Sequence, residues 1–557
     1  MQSSLSTADY IVFLVYFVLI VGYGLWIYNR KKKESESSSD YFLAEGSLTW
    51  WAIGASLIAS NISAEQFIGM SGSGFKIGLA IATYEWMAAL ILIVVAVFFI
   101  PVYLKNKIFT MPQFLHQRYN ANVAMIMAVF WLLLYVIVNL TSILYLGALA
   151  ITSISGIDFN LCIAFLAIFS IMITLGGMKV IGFTDVIQVF FLILGGLITT
   201  YLAVNLVSDE FGGTGLMDGF KFMSTEAKDH FQMIFSKESE HYAELPGLSV
   251  LVGGMIIVNL NYWGCNQYIT QRALGADLKT ARGGLLFASF LKLMMPLIVV
   301  IPGIAAYVLY QHGNFHTEMM QAGELNPDRA YPVLLNLLPA GLKGLSFAAL
   351  TAAIVASLAG KANSIATIFT LDIYKKRINE NADEKKLVNV GKMTVVVAMI
   401  IAIIIAPFLG IDKKGGFQFI QEYTGFVSPG IFAMFLLGFF WKKATSNAAL
   451  FATIGGFIFS CVLKFLPGIM DLSFLYPIGW AVPNAAGVYE IPFLDRMAIV
   501  FVLCVVGMFF ISQKEAQKGV NTNGLEVDTT MFKVTPAFTV GALIVTGITA
   551  ALYTIFW

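Results

Sequence analysis

About fourteen apolar runs of roughly 18 to 28 residues follow one another along this chain, each long enough to span a hydrocarbon core of roughly 30 Å. They cover 8–28, 50–74, 77–104, 122–151, 159–177, 183–206, 248–270, 283–311, 341–368, 389–410, 416–440, 445–466, 493–512 and 537–557. No water reaches the middle of a bilayer, so every backbone N–H and C=O there needs a partner inside the protein, and an apolar run meets that demand as a helix. A composition of 58% hydrophobic and 12% charged residues excludes an ordinary soluble domain. The expected fold is an all-α polytopic membrane protein with about fourteen transmembrane helices in contact with lipid.

No basic residue precedes the first run, whereas Arg30, Lys31, Lys32 and Lys33 follow it at once. Basic residues stay on the cytoplasmic side, which places the N-terminus outside. The run lacks the leading cations and trailing cleavage site of a signal peptide. Alternation from there puts Lys105/Lys107/Arg118, Arg272/Lys279/Arg282, Lys375/Lys376/Arg377/Lys385/Lys386 and Lys442/Lys443 in the cytoplasm, and only Lys413/Lys414 outside. An even count returns Trp557 to the outside. The polar stretches 207–247 and 312–340 are then external, 513–536 is internal, and 34–40 is a flexible link. Cys162, Cys265, Cys461 and Cys504 lie in apolar runs without metal-ligand spacing and read as small buried hydrophobes. No aromatic-basic pattern points to nucleic acid, and the oligomeric state is open.

Two of the runs are interrupted at matching places. The segment from Trp51 to Gly74 is expected to break in the stretch NISAEQF that begins at Asn61 and again in GMSGSG from Gly69, and the segment from Leu248 to Tyr268 in the stretch NLNYWGCNQY that begins at Asn259. Unwound helix in a bilayer strands costly backbone groups and is kept where it lines a site, and paired interruptions mark the binding centre of a secondary transporter.

Ionisable residues inside spans mark function by default. Besides Glu65 in the first break, Glu85 lies roughly 12 Å into its span at 1.5 Å per residue, and Lys292 reaches a similar depth from the other face. With the amides Asn61, Gln66, Asn259 and Gln421 they make donors and acceptors suited to sugar hydroxyls, and Tyr84, Tyr262, Trp263 and Phe417 offer aromatic faces. The alternative for Glu85 and Lys292 is an ion pair that only holds two helices in register. Single amides in spans also commonly bond between helices. Asp185 is expected at the start of its helix, either as a cap or on a cation's exit path. Lys361, roughly 20 residues into its span, is expected near the cytoplasmic surface, where its chain can snorkel. Sodium needs several oxygen ligands, and the carbonyls of Ala59 and Ile62 with the hydroxyl of Ser357 offer them.

The strings ASLIASNISAEQFIGMSGSG, ATYEWM, FTDVIQVFFLILGG, NYWGCNQYITQR, NSIATIFTLDIYKK and QEYTGFVSPGI resemble the solute:sodium symporter family, in its bacterial sodium/galactose (sodium/glucose) cotransporter branch, from about Ala8 to Trp557. The resemblance implies a leucine-transporter-type core of five plus five helices in inverted repeat, with the first and sixth core helices discontinuous. It divides the chain into an extra N-terminal helix and linker at 1–49, a first repeat at 50–206, an extracellular loop at 207–247, a second repeat at 248–440 and three C-terminal helices at 441–557. It further implies a bacterial inner-membrane symporter of a neutral hexose, galactose or glucose, with Na+ as coupling ion. Sugar contacts fall on Asn61, Gln66, Glu85, Asn259, Lys292 and Gln421, and gates on Met70, Tyr84, Tyr262 and Phe417. Sodium ligands fall on the carbonyls of Ala59, Ile62 and Ala353 and the hydroxyl of Ser357, with Asp185 on the ion's way inward.

Two departures bear on this resemblance. The pattern has a second serine where this chain has Ala356, so one oxygen ligand is missing, and Ala88 replaces a small polar residue beside Glu85. The residues Gly360-Lys361-Ala362 also leave the pattern. Other family substrates (a sialic acid, proline or other amino acid, or an organic anion), proton coupling, and a sugar-gated sensor or channel on the same scaffold are the rivals in transport and signalling. An intramembrane serine protease is suggested by Gly69-Met70-Ser71-Gly72, but all five histidines fall in expected loops, away from any spanning serine.

Overall fold

The structure is a computed structural model that describes residues 5–31, 48–321, 323–408, 416–484 and 486–557. Lys32, Lys33, the link 34–40 and the pair Lys413/Lys414 lie outside the described residues. Among the described residues the chain is helical nearly throughout, with two short two-stranded hairpins in loops at 320–325 and 482–490.

Each of the expected runs corresponds to helix. Among the described residues, ten helices are long and apolar enough to cross a membrane alone, and Phe417–Gly425 with Ser428–Phe440, bent by 53°, makes an eleventh. The remaining three runs are Phe159–Thr174, only 16 residues long, and the two interrupted segments. The shortfall from fourteen thus falls where helices are short or broken.

The chain forms two compact units. The first comprises Met1–Glu85, Trp131–Gln232 and Gly283–Ile420. Its centre is the helix Leu342–Thr367, whose run of Ala, Ser and Gly lets neighbours approach closely, and which is buried over almost its whole length. Tyr16, Phe17 and Ile20 of the helix Thr7–Lys31 pack on its Ala348 and Ala352. Glycines of the first broken segment serve the same end. A Cβ on Gly69 would lie 2.8 Å from the main-chain nitrogen of Phe417, and one on Gly74 2.7 Å from the carbonyl of Val300. This corrects the expectation of a second break at Gly69, because Glu65–Met70 is a π-helical turn that runs on into the helix Ser71–Ile77. Glycine permits both unwinding and close approach, and here packing uses it.

The second unit comprises Trp86–Phe130, Met233–Arg282 and Gln421–Trp557. Arg118 ends the short helix Met111–Arg118 and is only 1% exposed. Its Nε donates to the Gly438 carbonyl at 2.7 Å and its Nη2 to that of Trp441 at 2.9 Å. These carbonyls belong to the C-terminal end of Ser428–Phe440, where orphan acceptors and the helix dipole favour a cation. Arg118→Ala is expected to cost about 3 kcal/mol of stability, seen as a lower unfolding midpoint in detergent, and an unchanged midpoint would refute the capping role. Glu422 accepts from Lys464 and, at 2.7 Å, from Arg496, tying three helices by an ionic cluster. The rule that spans exclude unpaired charge marks these three residues as it marks Glu85 and Lys292.

Cys162, Cys265 and Cys504 are buried as expected, while Cys461 is half-buried, and all four are free thiols. Asp185 lies well inside the 34-residue helix Gly177–Glu210, so it caps nothing. Lys361 does not snorkel, since its side chain is 3% exposed and faces Glu65.

Candidate functional site

In the first unit the helix Trp50–Asn61 stops because Ile62 turns extended, with φ −81° and ψ 114°. The donors stranded by the break are met locally. Ser63 N donates to Gln66 Oε1 at 3.0 Å and Glu65 N donates to Ser63 Oγ at 3.2 Å. Gln66 reaches back to the Ser63 N–H as in a capping box, while the Ser63 hydroxyl serves the next N–H but one, and together they restart the helix inside the protein. Gln66 therefore spends its carbonyl oxygen on the break itself, a role the S-x-x-Q spacing of Ser63 to Gln66 announces and the sequence reading missed.

Beside the break, Lys292 Nζ donates to Glu85 Oε2 at 2.5 Å and also to Asn61 Oδ1. Lys292, Glu85 and Asn61 are 1%, 3% and 8% exposed. The structure thus joins three of the six expected sugar-contacting residues. One positive and one negative charge leave the cluster neutral, so it presents donors and acceptors without the cost of a lone buried charge. Of the expected gate residues, Met70, Tyr84 and Phe417 are buried in the same unit, with the rings of Tyr84 and Phe417 edge to face at 4.9 Å. Next to Phe417, Gln418 is 8% exposed, and neither polar atom of its amide has a hydrogen-bond partner among the described residues. A buried amide without partners is costly unless a ligand or water serves it. Spacing alone does not distinguish Gln418 from Gln421, the amide expected from the sequence.

The expected ion ligands lie where Leu342–Thr367 faces the break. Ala353 and Ser357, both buried, are one turn apart on that helix, and Ser357 Oγ donates to the Ser60 carbonyl at 3.1 Å, between Ala59 and Ile62 in sequence. From there a buried polar line continues along Trp50–Asn61. Ser60 Oγ donates to the Ser56 carbonyl at 2.8 Å, and Ser56 Oγ to Asp185 Oδ2 at 2.6 Å. Ser56 and Ser60 went unnoticed in the sequence because small hydroxyls in spans are usually packing residues.

Asn259, Tyr262 and Gln421 belong to the second unit. The interruption falls within the expected stretch 259–268, toward its C-terminal end. The helix Gly254–Cys265 runs unbroken through Asn259, and the break is at Asn266, which is extended at φ −97° and ψ 127° before Gln267–Leu274. Asn259 Nδ2 donates to the Met255 carbonyl one turn back at 3.0 Å, so its amide replaces no lost helix bond. The partners the break needs come from elsewhere. Tyr103 Oη donates to the Gly264 carbonyl at 2.7 Å, and Met111 N to Gln267 Oε1 at 2.7 Å. Tyr262 sits edge to face with Trp263 and Tyr268 at 5.1 and 5.7 Å. Gln421 is half-buried.

Two broken membrane helices, one of them flanked by a neutral charge cluster and a line of hydroxyls, have the layout of a secondary transporter. The model of the sodium:solute symporter family matches residues 41–456. The chain belongs to that family. It is 46% identical to a protein named sodium/glucose cotransporter from Vibrio parahaemolyticus, over 100% of this chain and 99% of that one. It is 32% identical to a sodium/myo-inositol cotransporter 2 from Mus musculus, covering 86% of this chain and 72% of that one. Its fold is that of a Na+-coupled sialic acid symporter solved in a substrate-bound outward-open state, with a TM-score of 0.73 at 22% identity over 91% of this chain and 98% of the other.

Proposed function

We propose that the chain carries a neutral hexose, galactose or glucose, across the bacterial inner membrane together with sodium, by alternating access, with both termini outside the cytoplasm. The observation that carries this reading is the buried Glu85–Lys292–Asn61 cluster beside the first break. Its paired charges suit hydroxyl groups, whereas an anionic substrate would need a cation not already neutralised. The similarity to a sodium/glucose cotransporter supports the same substrate class. In this reading Asn61, Gln66, Glu85, Asn259, Lys292 and Gln421 contact sugar, with Gln418, whose amide has no partner among the described residues, as an added candidate. Met70, Tyr84 and Phe417 close the outer side and Tyr262 the inner.

Sodium in this reading is held by the carbonyls of Ala59, Ile62 and Ala353 and by Ser357, and leaves past Ser60 and Ser56 toward Asp185. The repeats 50–206 and 248–440 supply the moving framework, with 1–49, 207–247 and 441–557 as additions around it. Sodium at the junction steadies the break against Leu342–Thr367, which favours sugar binding next to Asn61. By reciprocity sugar raises sodium affinity by the same factor. Proteoliposomes holding the protein are expected to concentrate labelled galactose or glucose under an inward sodium gradient and not under potassium. Uptake indifferent to sodium at fixed membrane potential would sink the sodium coupling, and flux that never exceeds equilibration would favour a channel or sensor.

A further inference from the structure

The helix Leu342–Thr367 touches the first break twice. Ser357 holds its near side through the Ser60 carbonyl at 3.1 Å. One turn further on the same face, Lys361 Nζ lies 3.7 Å from Glu65 Oε1, at the first residue of the π-helical turn that follows the break. Side chains four residues apart on a helix stand roughly 5–6 Å from each other at Cβ. A resident ammonium group therefore sits one helical turn from the residues proposed to hold sodium, with its side chain 3% exposed and its carboxylate partner 13% exposed. On the same helix Ala356 supplies no hydroxyl.

We propose that Lys361 and Glu65 form a fixed ion pair that sets the sodium affinity of this protein, a positioning and specificity role beyond sugar or ion ligation. The ammonium ties the far side of the break to Leu342–Thr367, a task sodium would otherwise perform from the near side. Its charge opposes a second cation at short range, and Glu65 offsets that opposition. At separations of several ångströms in a partly shielded interior, one unit charge changes an ion's binding constant severalfold or more. Deleting either member of the pair exposes the ion to the charge of the other, so the two deletions act with opposite signs. A pair that merely pins two helices would instead lose folded protein with either deletion and leave ion affinity in place.

This inference rests on the sodium-symport reading, and the experiment separates the two. The full chain in proteoliposomes is assayed for sugar uptake against sodium concentration, at fixed membrane potential and saturating sugar. Lys361→Gln is expected to lower the half-saturating sodium concentration about three- to tenfold, Glu65→Gln to raise it by a similar factor, and the double variant to fall between them. The sugar KM at saturating sodium is expected to stay within about twofold throughout. Half-saturation that is unchanged, or that moves the same way in both single variants, overturns the assignment. If Lys361→Gln fails to insert, Glu65→Gln decides alone, because its upward shift is required. Wild-type uptake that ignores sodium overturns both readings, while normal wild-type dependence with unshifted variants overturns only this one.

Discussion

Glu85→Ala is expected to abolish sugar binding and reduce uptake at sub-saturating sugar by about 100-fold or more, with the protein still inserted and folded. Two effects combine. In the proposed site the sugar loses an acceptor, and Lys292, only 1% exposed, loses the carboxylate at 2.5 Å that neutralises it. Leaving one member of a buried pair alone costs about 3–5 kcal/mol, of which part appears as lower stability and part as a site too positive for a neutral ligand. The remaining bond to Asn61 keeps Lys292 in place.

The same variant alone does not separate a binding role from a register-holding one, but a double variant does. Glu85→Gln with Lys292→Gln removes both charges at nearly constant shape, a change that is often neutral or stabilising for a structural pair. The binding reading expects this double variant to recover a normal unfolding midpoint while uptake stays abolished. Wild-type-like uptake in either variant would return Glu85 to a purely structural role.

Ser357→Ala carries the second large effect. Sodium dependence is expected to weaken strongly, with the half-saturating sodium concentration rising about tenfold or more, as one proposed oxygen ligand and its link to the break disappear together. Sugar recognition at saturating sodium is expected to change much less. The loss is large in this chain because Ala356 leaves Ser357 as the hydroxyl facing the break. An unaltered sodium response would mean that the ion binds elsewhere. Restoring the absent oxygen by Ala356→Ser tests the same site from the other direction, and the ligand reading expects tighter sodium binding.

Much of the site was legible because a bilayer penalises polar atoms so heavily. Glu85, Lys292 and Asn61 stand out among apolar neighbours, and depth along a helix follows from 1.5 Å per residue, so their convergence was a matter of counting. The breaks were legible only in part. Asn61 marks the true end of its helix, but Asn259 lies within one, and the actual bend at Asn266 comes seven positions later. Polar residues and glycines show that a helix is permitted to open, whereas the place where it opens depends on which neighbour can receive the freed groups. At Asn266 those neighbours are Tyr103 and Met111, more than 150 residues away in sequence. For Lys361, counting along the span suggested the cytoplasmic surface, whereas its side chain is buried and paired with Glu65, a partner only the fold brings near.

By itself the sequence determined the class of fold, the approximate positions of the apolar runs, and the residues too polar to face lipid, since each follows from the local cost of putting a chain in hydrocarbon. The tertiary structure alone decided which of those polar residues share a bond, that Gly69 and Gly74 pack rather than unwind, and that Asp185 ends a line of serines instead of capping a helix. Those outcomes depend on partners brought close by helix packing, and a stranded donor or charge is satisfied by whatever lies within about 3 Å in space, regardless of its distance along the chain.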